Sequence, residues 1–365
     1  MSVPTGLTHV PWESCAVEPV HDAELESYAR RKQGICLPAI PYFAPVPWLA
    51  RAVIDLRPEY GLLLQVEQQL VELVTLIVSQ ENSCRYCYAG VRALLWAQGV
   101  SKEHLERIEQ QLSRANLPAK TVAAIAFGRS QSRSGPAAVR VACDALRTEG
   151  FDEGEIKEIA YVVAETDFSN RAHTFLAIPA RFLEEMPNRW YQRLSRPLVR
   201  RVLLGRQYRG RATPLDGVPS YPYAGIVEAY AGSPIAQALR HTLDQMWASP
   251  HLTQRCKLLM LAVIAHGLES EVCAIELDHA LEREGLDRIV LIEVLAHLDS
   301  AELDDCERLL VSFARETIWY QPAAVQRTAR ALRRTLSGPQ LVEAVGVAAL
   351  ANGLCRLATI VMSKP

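Results

Sequence analysis

Residues 62–78 read LLLQVEQQLVELVTLIV, and the fold turns on their period. The apolar residues Leu62, Leu63, Val66, Leu70, Leu73, Val74 and Ile77 recur at steps of three and four. That spacing gathers side chains onto one face of a helix with 3.6 residues per turn. It predicts one long amphipathic helix over 62–78. The same period continues through 88–98, 138–148, 155–176, 235–247 and 254–266, and again through 289–298, 302–318, 323–336 and 340–362. Turn signals separate these stretches, among them Gly99-Val100-Ser101, Gly135-Pro136, Gly150-Phe151-Asp152, Gly285-Leu286-Asp287 and Gly338-Pro339. Neither a hairpin signal nor strand–helix alternation is present, so the expected fold class is all-α.

The chain has 365 residues, 49% of them hydrophobic and 22% charged. At ~100–200 residues per domain this suggests two domains or one large one, with enough apolar surface to build a core. Thirty-nine basic and 41 acidic residues give a formal net charge of −2, which offers no global attraction to nucleic acid or to a membrane. Charged and polar residues interrupt every apolar run before the ~18 residues of a spanning helix. The first 21 residues, with Pro4, Pro11, Glu13 and Glu18, lack a basic-then-apolar leader pattern. The expectation is a soluble cytoplasmic protein without nucleic-acid or membrane partners.

Internal matches refine the architecture. Glu158, followed by IAYVVA and then Arg171 thirteen residues later, matches Glu343, followed by AVGVAA and then Arg356, at an offset of 185. Thr174 and Thr359 keep that offset. Cys87 precedes Gly99 by twelve, and Cys273 precedes Gly285 by twelve, at an offset of 186. Pro41-Tyr42 and Pro222-Tyr223 mark comparable starts. The expected organisation is an arm over 1–34, a first repeat over 35–185, a connection over 186–220 and a second repeat over 221–365. Pro38, Pro41, Pro45 and Pro47 suggest an extended segment before the first helix. Eight arginines and no acidic residue fall between Arg189 and Arg211, and they read as a solvated helix face plus a surface linker.

Nine cysteines is an odd number in a chain too large to need disulfide staples. Cys15, Cys36, Cys143, Cys256, Cys273, Cys306 and Cys355 are scattered singly and read as small buried hydrophobes. Cys84 and Cys87 differ. In Glu81-Asn82-Ser83-Cys84-Arg85-Tyr86-Cys87, Asn82 or Ser83 is a good N-cap for a helix beginning at about Cys84. Two thiols three apart in a first turn share one face, where free N–H groups favour a thiolate. Without a second CxxC or a Cys/His pair at ligand spacing, a metal site is not expected, and no cofactor is implied. If the upstream helix turns back near Gln80, Glu72 approaches the sulfurs from the other side.

Glu72, the Cys84-x-x-Cys87 pair and the surrounding NSCRYCYAGVRALL resemble the carboxymuconolactone decarboxylase/alkyl hydroperoxidase D superfamily. The closing stretches EIAYVVAETDFSNRAHTFLAI and EAVGVAALANGLCRLATIV resemble that family's last helix, and Asn170-Arg171 matches its Asn-Arg pair. The resemblance implies two tandem alkyl hydroperoxidase D-like helical repeats forming a duplicated bundle. It also implies a homo-oligomer, dimer or trimer. On it, Cys87 is the cysteine that attacks a peroxide, Cys84 the resolving cysteine and Glu72 the carboxylate of the proton relay. The implied activity is thiol-dependent peroxidase or disulfide oxidoreductase, with a peroxide or disulfide as substrate and an external thiol as reductant.

The chain departs from the family pattern at Val91, where the family's histidine belongs four residues after the second cysteine. Arg85, as a charge beside the thiols, and His173, arriving on the closing helix, are the available substitutes, and Tyr86 is a further accessory candidate. In the second half Ser270 and Cys273 stand where CxxC would be, and Lys257 or Leu258 stands at the Glu72 position. A lone cysteine without a resolver reads as structural. Two other functions are compatible with the sequence: a non-catalytic helical scaffold that binds a ligand or partner, and a decarboxylase-like enzyme. The presence of both cysteines argues against the second.

Overall fold

Helices supply the regular structure of the chain. The computed structural model describes residues 7–110, 117–185, 209–215, 217 and 221–362. Among the described residues there are eighteen α-helices, one short 3₁₀ turn and no strands, with two isolated bridges, Leu63 to Arg209 and Thr213 to Gly232. The all-α expectation holds. In chain order the helices are α1 Ala23–Gln33, α2 Ile40–Phe43, α3 Pro47–Asp55, α4 Gln68–Glu81, α5 Arg85–Gln98, α6 Lys102–Gln110, α7 Ala119–Arg133, α8 Pro136–Thr148, α9 Glu153–Phe175 and α10 Arg181–Glu185. Then come α11 Ala224–Ala229, α12 Pro234–Ala248, α13 Gln254–Gly267, α14 Glu271–Arg283, α15 Arg288–His297, α16 Asp305–Glu316, α17 Pro322–Leu332 and α18 Gly338–Val361. Most of the arginine-rich stretch expected as a connection lies outside the described residues.

Two elements differ from the periodic reading. The helix expected over 62–78 starts only at Gln68. The carboxylate of Glu158 accepts from the backbone N–H groups of Leu64, Gln65 and Val66 at 2.6, 3.0 and 2.8 Å, which holds those residues out of the helix. The proline-rich segment is helical rather than extended, as α2 and α3. Pro41 and Pro47 sit in the first turns, where a missing N–H costs nothing.

The two longest helices, α9 and α18, form the centre. Each opens with a capping box, Asp152 with Glu155 and Ser337 with Gln340, and each is buried on nearly every side. They pack closely enough that a Cβ on Gly353 would lie 2.6 Å from the Ala164 carbonyl oxygen. Beside this crossing, buried Asp167 pairs with Arg171 at 3.1 Å and Arg356 at 3.6 Å, and accepts from Ser132 Oγ at 2.8 Å and Asn82 Nδ2 at 2.6 Å. By length and composition α18 could also cross a membrane, contrary to the sequence expectation. Here 83% of its most apolar window is covered by protein, and its two charges are satisfied inside: Glu343 by Lys257, and Arg356 by Asn352 and Asp167.

Helix starts recur at a steady interval. Gln68 and Gln254, Arg85 and Glu271, Lys102 and Arg288, Ala119 and Asp305, and Pro136 and Pro322 are each 186 residues apart; Glu153 and Gly338 are 185 apart. Hydrogen bonds keep the same step. Val66 N donates to Glu158 at 2.8 Å, and Leu252 N donates to Glu343 at 3.0 Å. Ser132 bonds Asp167 as Asn352 bonds Thr317. The N-terminal residues lie on both halves: Trp12 donates to the Ile178 carbonyl, Ala16 N to that of Leu176, and Glu13 N to Gln326.

Candidate active site

The connection between α4 and α5 sets the geometry of the thiols. Ser83 adopts a left-handed conformation, φ 51°, and the Asn82 side chain is committed to Asp167. Cys84 is then the first extended residue and caps α5 itself, its Sγ accepting from Cys87 N at 3.4 Å. The helix therefore begins at Arg85, with neither Asn82 nor Ser83 as its cap. Cys84 is fully buried. Cys87 sits one turn on, partly exposed, and its Sγ lies 3.9 Å from Ser169 Oγ on α9.

Cys87 lines a cavity of about 470 Å³ enclosed by α3, α4, α5 and α9 together with residues 33–40. Its walls are mostly apolar, including Ile35, Val53, Val91 and Leu94, with a few polar groups pointing in. That size and character are typical of small-molecule sites. Glu72 and His173 line the same cavity, so the backbone brings together four of the residues picked out by sequence, Glu72, Tyr86, Cys87 and His173.

The two sulfurs are hydrogen-bonded to each other. Burial works against charge on Cys84, but the Cys87 thiol, Thr174 and the N–H groups of Cys87 and Tyr86 outweigh it and lower its pKa. The Cys87 thiol is raised by burial and by its hydrogen bond with Cys84. The inner sulfur is thus the more easily deprotonated of the two, and the sulfur facing the cavity holds its proton more tightly.

Glu72 is buried, which pushes its pKa up to about 7. Its Oε1 accepts from Gln68 at 2.8 Å and Gln98 at 2.6 Å, and its Oε2 has no hydrogen-bond partner. A carboxyl poised there both gives and takes protons near neutrality. His173 is held neutral, its pKa pushed down to about 4 by burial. It is stacked on Tyr86 at 4.5 Å and edge-on to Phe43. Its Nδ1 lies 2.6 Å from the Ser169 carbonyl oxygen, which fixes the proton there and leaves Nε2 as an acceptor. The Tyr86 hydroxyl accepts from Ala39 N.

Arg85 does not serve as the expected charge beside the thiols. Its guanidinium is turned away into a two-pronged pair with Glu184, both bonds 2.8 Å. The positive charge felt by Cys87 comes from Arg57, which is paired with Glu59 on the cavity wall. The residue that sequence reasoning missed is Glu165. It is buried on α9 four residues before Ser169 and eight before His173, and burial raises it to about 8. Its signal was available: Glu165, Ser169 and His173 share one helical face. In the second half Lys257 is fully buried, paired with Glu343 at 3.1 Å and donating to the carbonyls of Met246 and Ser249.

Comparison of the chain with protein-family models, with curated proteins and with solved structures finds no match in any of the three. The chemistry is therefore argued from the site alone: a hydrogen-bonded dithiol, open on one side to an apolar cavity that also holds two carboxyls biased toward their acid forms.

Proposed function

We propose that the protein is a thiol-dependent peroxidase of the carboxymuconolactone decarboxylase/alkyl hydroperoxidase D type, built as two tandem copies of one helical unit. The observation that carries the chemistry is the cavity-facing Cys87 with Cys84 in hydrogen-bond contact behind it. The constant helix interval, with equivalent hydrogen bonds at Glu158 and Glu343, supports the duplication.

The reaction balances as follows. A cavity carboxylate, Glu72 or Glu165, takes the Cys87 proton directly or through water, and the Cys87 thiolate attacks the peroxide oxygen. The O–O bond breaks, Cys87 becomes a sulfenic acid, and the leaving alkoxide takes a proton from Glu72 or Glu165. Cys84 then attacks the Cys87 sulfur, and the hydroxyl departs as water with the Cys84 proton. Two thiols and one hydroperoxide give a disulfide, an alcohol and water. An external thiol restores the pair by exchange. The neutral His173 accepts a hydrogen bond from a peroxide or water in the cavity and substitutes in part for the histidine absent at Val91.

The test is peptide mapping after one equivalent of hydroperoxide. The expected product is a Cys84–Cys87 linkage, reversed by dithiothreitol, with peroxide consumed one for one. A Cys87→Ser variant that consumes peroxide at the wild-type rate would overturn the reading. The size and apolar lining of the cavity favour one alternative, a ligand-binding scaffold without turnover. Binding of an apolar ligand that survives Cys87→Ser, with no peroxide consumed by the unsubstituted protein, is its signature.

A further inference from the structure

The second half also contains two adjacent thiols. Cys273, in the first turn of α14, and Cys355, on α18, are hydrogen-bonded to each other through their side chains. The surroundings repeat those of the first pair. Glu269, 186 residues after Ser83, is likewise left-handed, φ 55° against 51°. Cys273 follows Cys87 by the same interval. Where Cys84 would lie there is Ser270, whose hydroxyl donates to the Cys355 carbonyl at 3.1 Å. The partner sulfur arrives instead from the closing helix, at the position that Asn170 occupies in the first half. The Tyr223 hydroxyl lies 3.6 Å from Cys355 Sγ.

We propose that Cys273 and Cys355 form a second redox-active thiol pair, oxidised to a disulfide by hydrogen peroxide. Two cysteines distant in sequence meet on two packed helices, and the lone-cysteine reading of the second half is replaced. Burial disfavours charge on Cys355, but the Cys273 thiol, the Tyr223 hydroxyl and the neighbouring Arg356 outweigh it and lower its pKa, whereas Cys273 is raised. With the Tyr223 hydroxyl 3.6 Å from its sulfur and able to donate to a thiolate, Cys355 is assigned the attack. Its thiolate attacks hydrogen peroxide, the O–O bond breaks, and the departing hydroxide takes a proton from solvent to leave as water. The resulting sulfenic acid is attacked by Cys273, releasing a second water that carries the Cys273 proton. Both sulfurs are buried, so this pair is expected to oxidise more slowly than Cys84–Cys87 and to admit only a small oxidant. A further contact, Cys256 with Cys306, lacks the activation: both thiols are raised, Cys306 to about 11, by burial and nearby acids.

The experiment uses the full-length chain carrying Cys84→Ser and Cys87→Ser, treated with excess hydrogen peroxide, denatured, alkylated and mapped. The expected result is loss of two thiols and one Cys273–Cys355 linked peptide. The unsubstituted protein should lose four thiols in two phases, the slower one absent from Cys355→Ala. Alkylated Cys273 and Cys355 after complete exposure, or a Cys256–Cys306 linkage in their place, would overturn the proposal. Mapping the unsubstituted protein decides the matter even if a variant does not fold. A Cys273–Cys355 linkage without Cys84–Cys87 would sink the reading of the first site and leave this one standing.

Discussion

At the scale of single residues, the proposed mechanism gives the two sulfurs of the first site different duties. Replacing Cys84 by serine removes the resolving step but leaves Cys87 facing the cavity, so one turnover should end at a sulfenic acid. Trapping with dimedone should label Cys87 in Cys84→Ser and leave Cys84 unlabelled in Cys87→Ser. The carboxyls give a pH signature. Glu72, at about 7, and Glu165, at about 8, bind protons more tightly in the folded chain than in the unfolded one. Their stabilising contribution is complete below about pH 4.5 and is lost as the pH rises through 7 and 8. Glu72→Gln should therefore leave stability unchanged near pH 4.5 and raise it by about 3 kcal/mol at pH 8, read from denaturant midpoints. His173 works in the opposite direction. Its pKa is lowered to about 4, so its contribution is complete above about 6.5 and is lost as the pH falls through 4.

At the scale of elements, Glu158 decides where a helix begins. Glu158→Ala would strand three backbone N–H groups and should cost about 3 kcal/mol in unfolding free energy, measured by urea titration. Gly353→Ala presses a methyl group against the Ala164 carbonyl and should cost about 1–3 kcal/mol by the same measurement. These two positions also show what the sequence could and could not reveal. Helical periodicity located ten of the eighteen described helices, and the stretches 138–148 and 235–247 lie within two residues of α8 and α12, but it passed over eight others, α7 and α14 among them. It failed at 62–67 because the competing partner, Glu158, is remote in sequence. It failed at the start of α5 because a cysteine took the cap that serine or asparagine usually provides. That Cys84 and Cys87 meet, and that Glu72 reaches the cavity Cys87 lines, was legible as local spacing, whereas Arg85 was misread because its partner, Glu184, is 99 residues away. Glu165 and the contact between Cys273 and Cys355 depend on how long helices pack, which spacing alone does not encode.

At the scale of the whole molecule, α9 and α18 bury each other, and Asp167 on the first holds Arg356 on the second. A chain truncated after residue 185 would expose the α18-facing side of α9 and leave Asp167 with one of its two cationic partners. It should show no cooperative unfolding transition and should aggregate, as followed by calorimetry and light scattering. Asp167→Asn in the intact chain keeps the shape but leaves two buried guanidiniums without their anion, with an expected loss of about 3–5 kcal/mol.

The carboxylate at 167 has a counterpart one interval on, but that counterpart is the neutral Asn352, so a single anion is shared across the seam. Neither segment could thus be replaced by a second copy of the other. Two copies of the first segment would crowd a second acid into the centre, and two copies of the second would leave both arginines without one. Any shuffling of this protein, natural or engineered, has to carry both segments together.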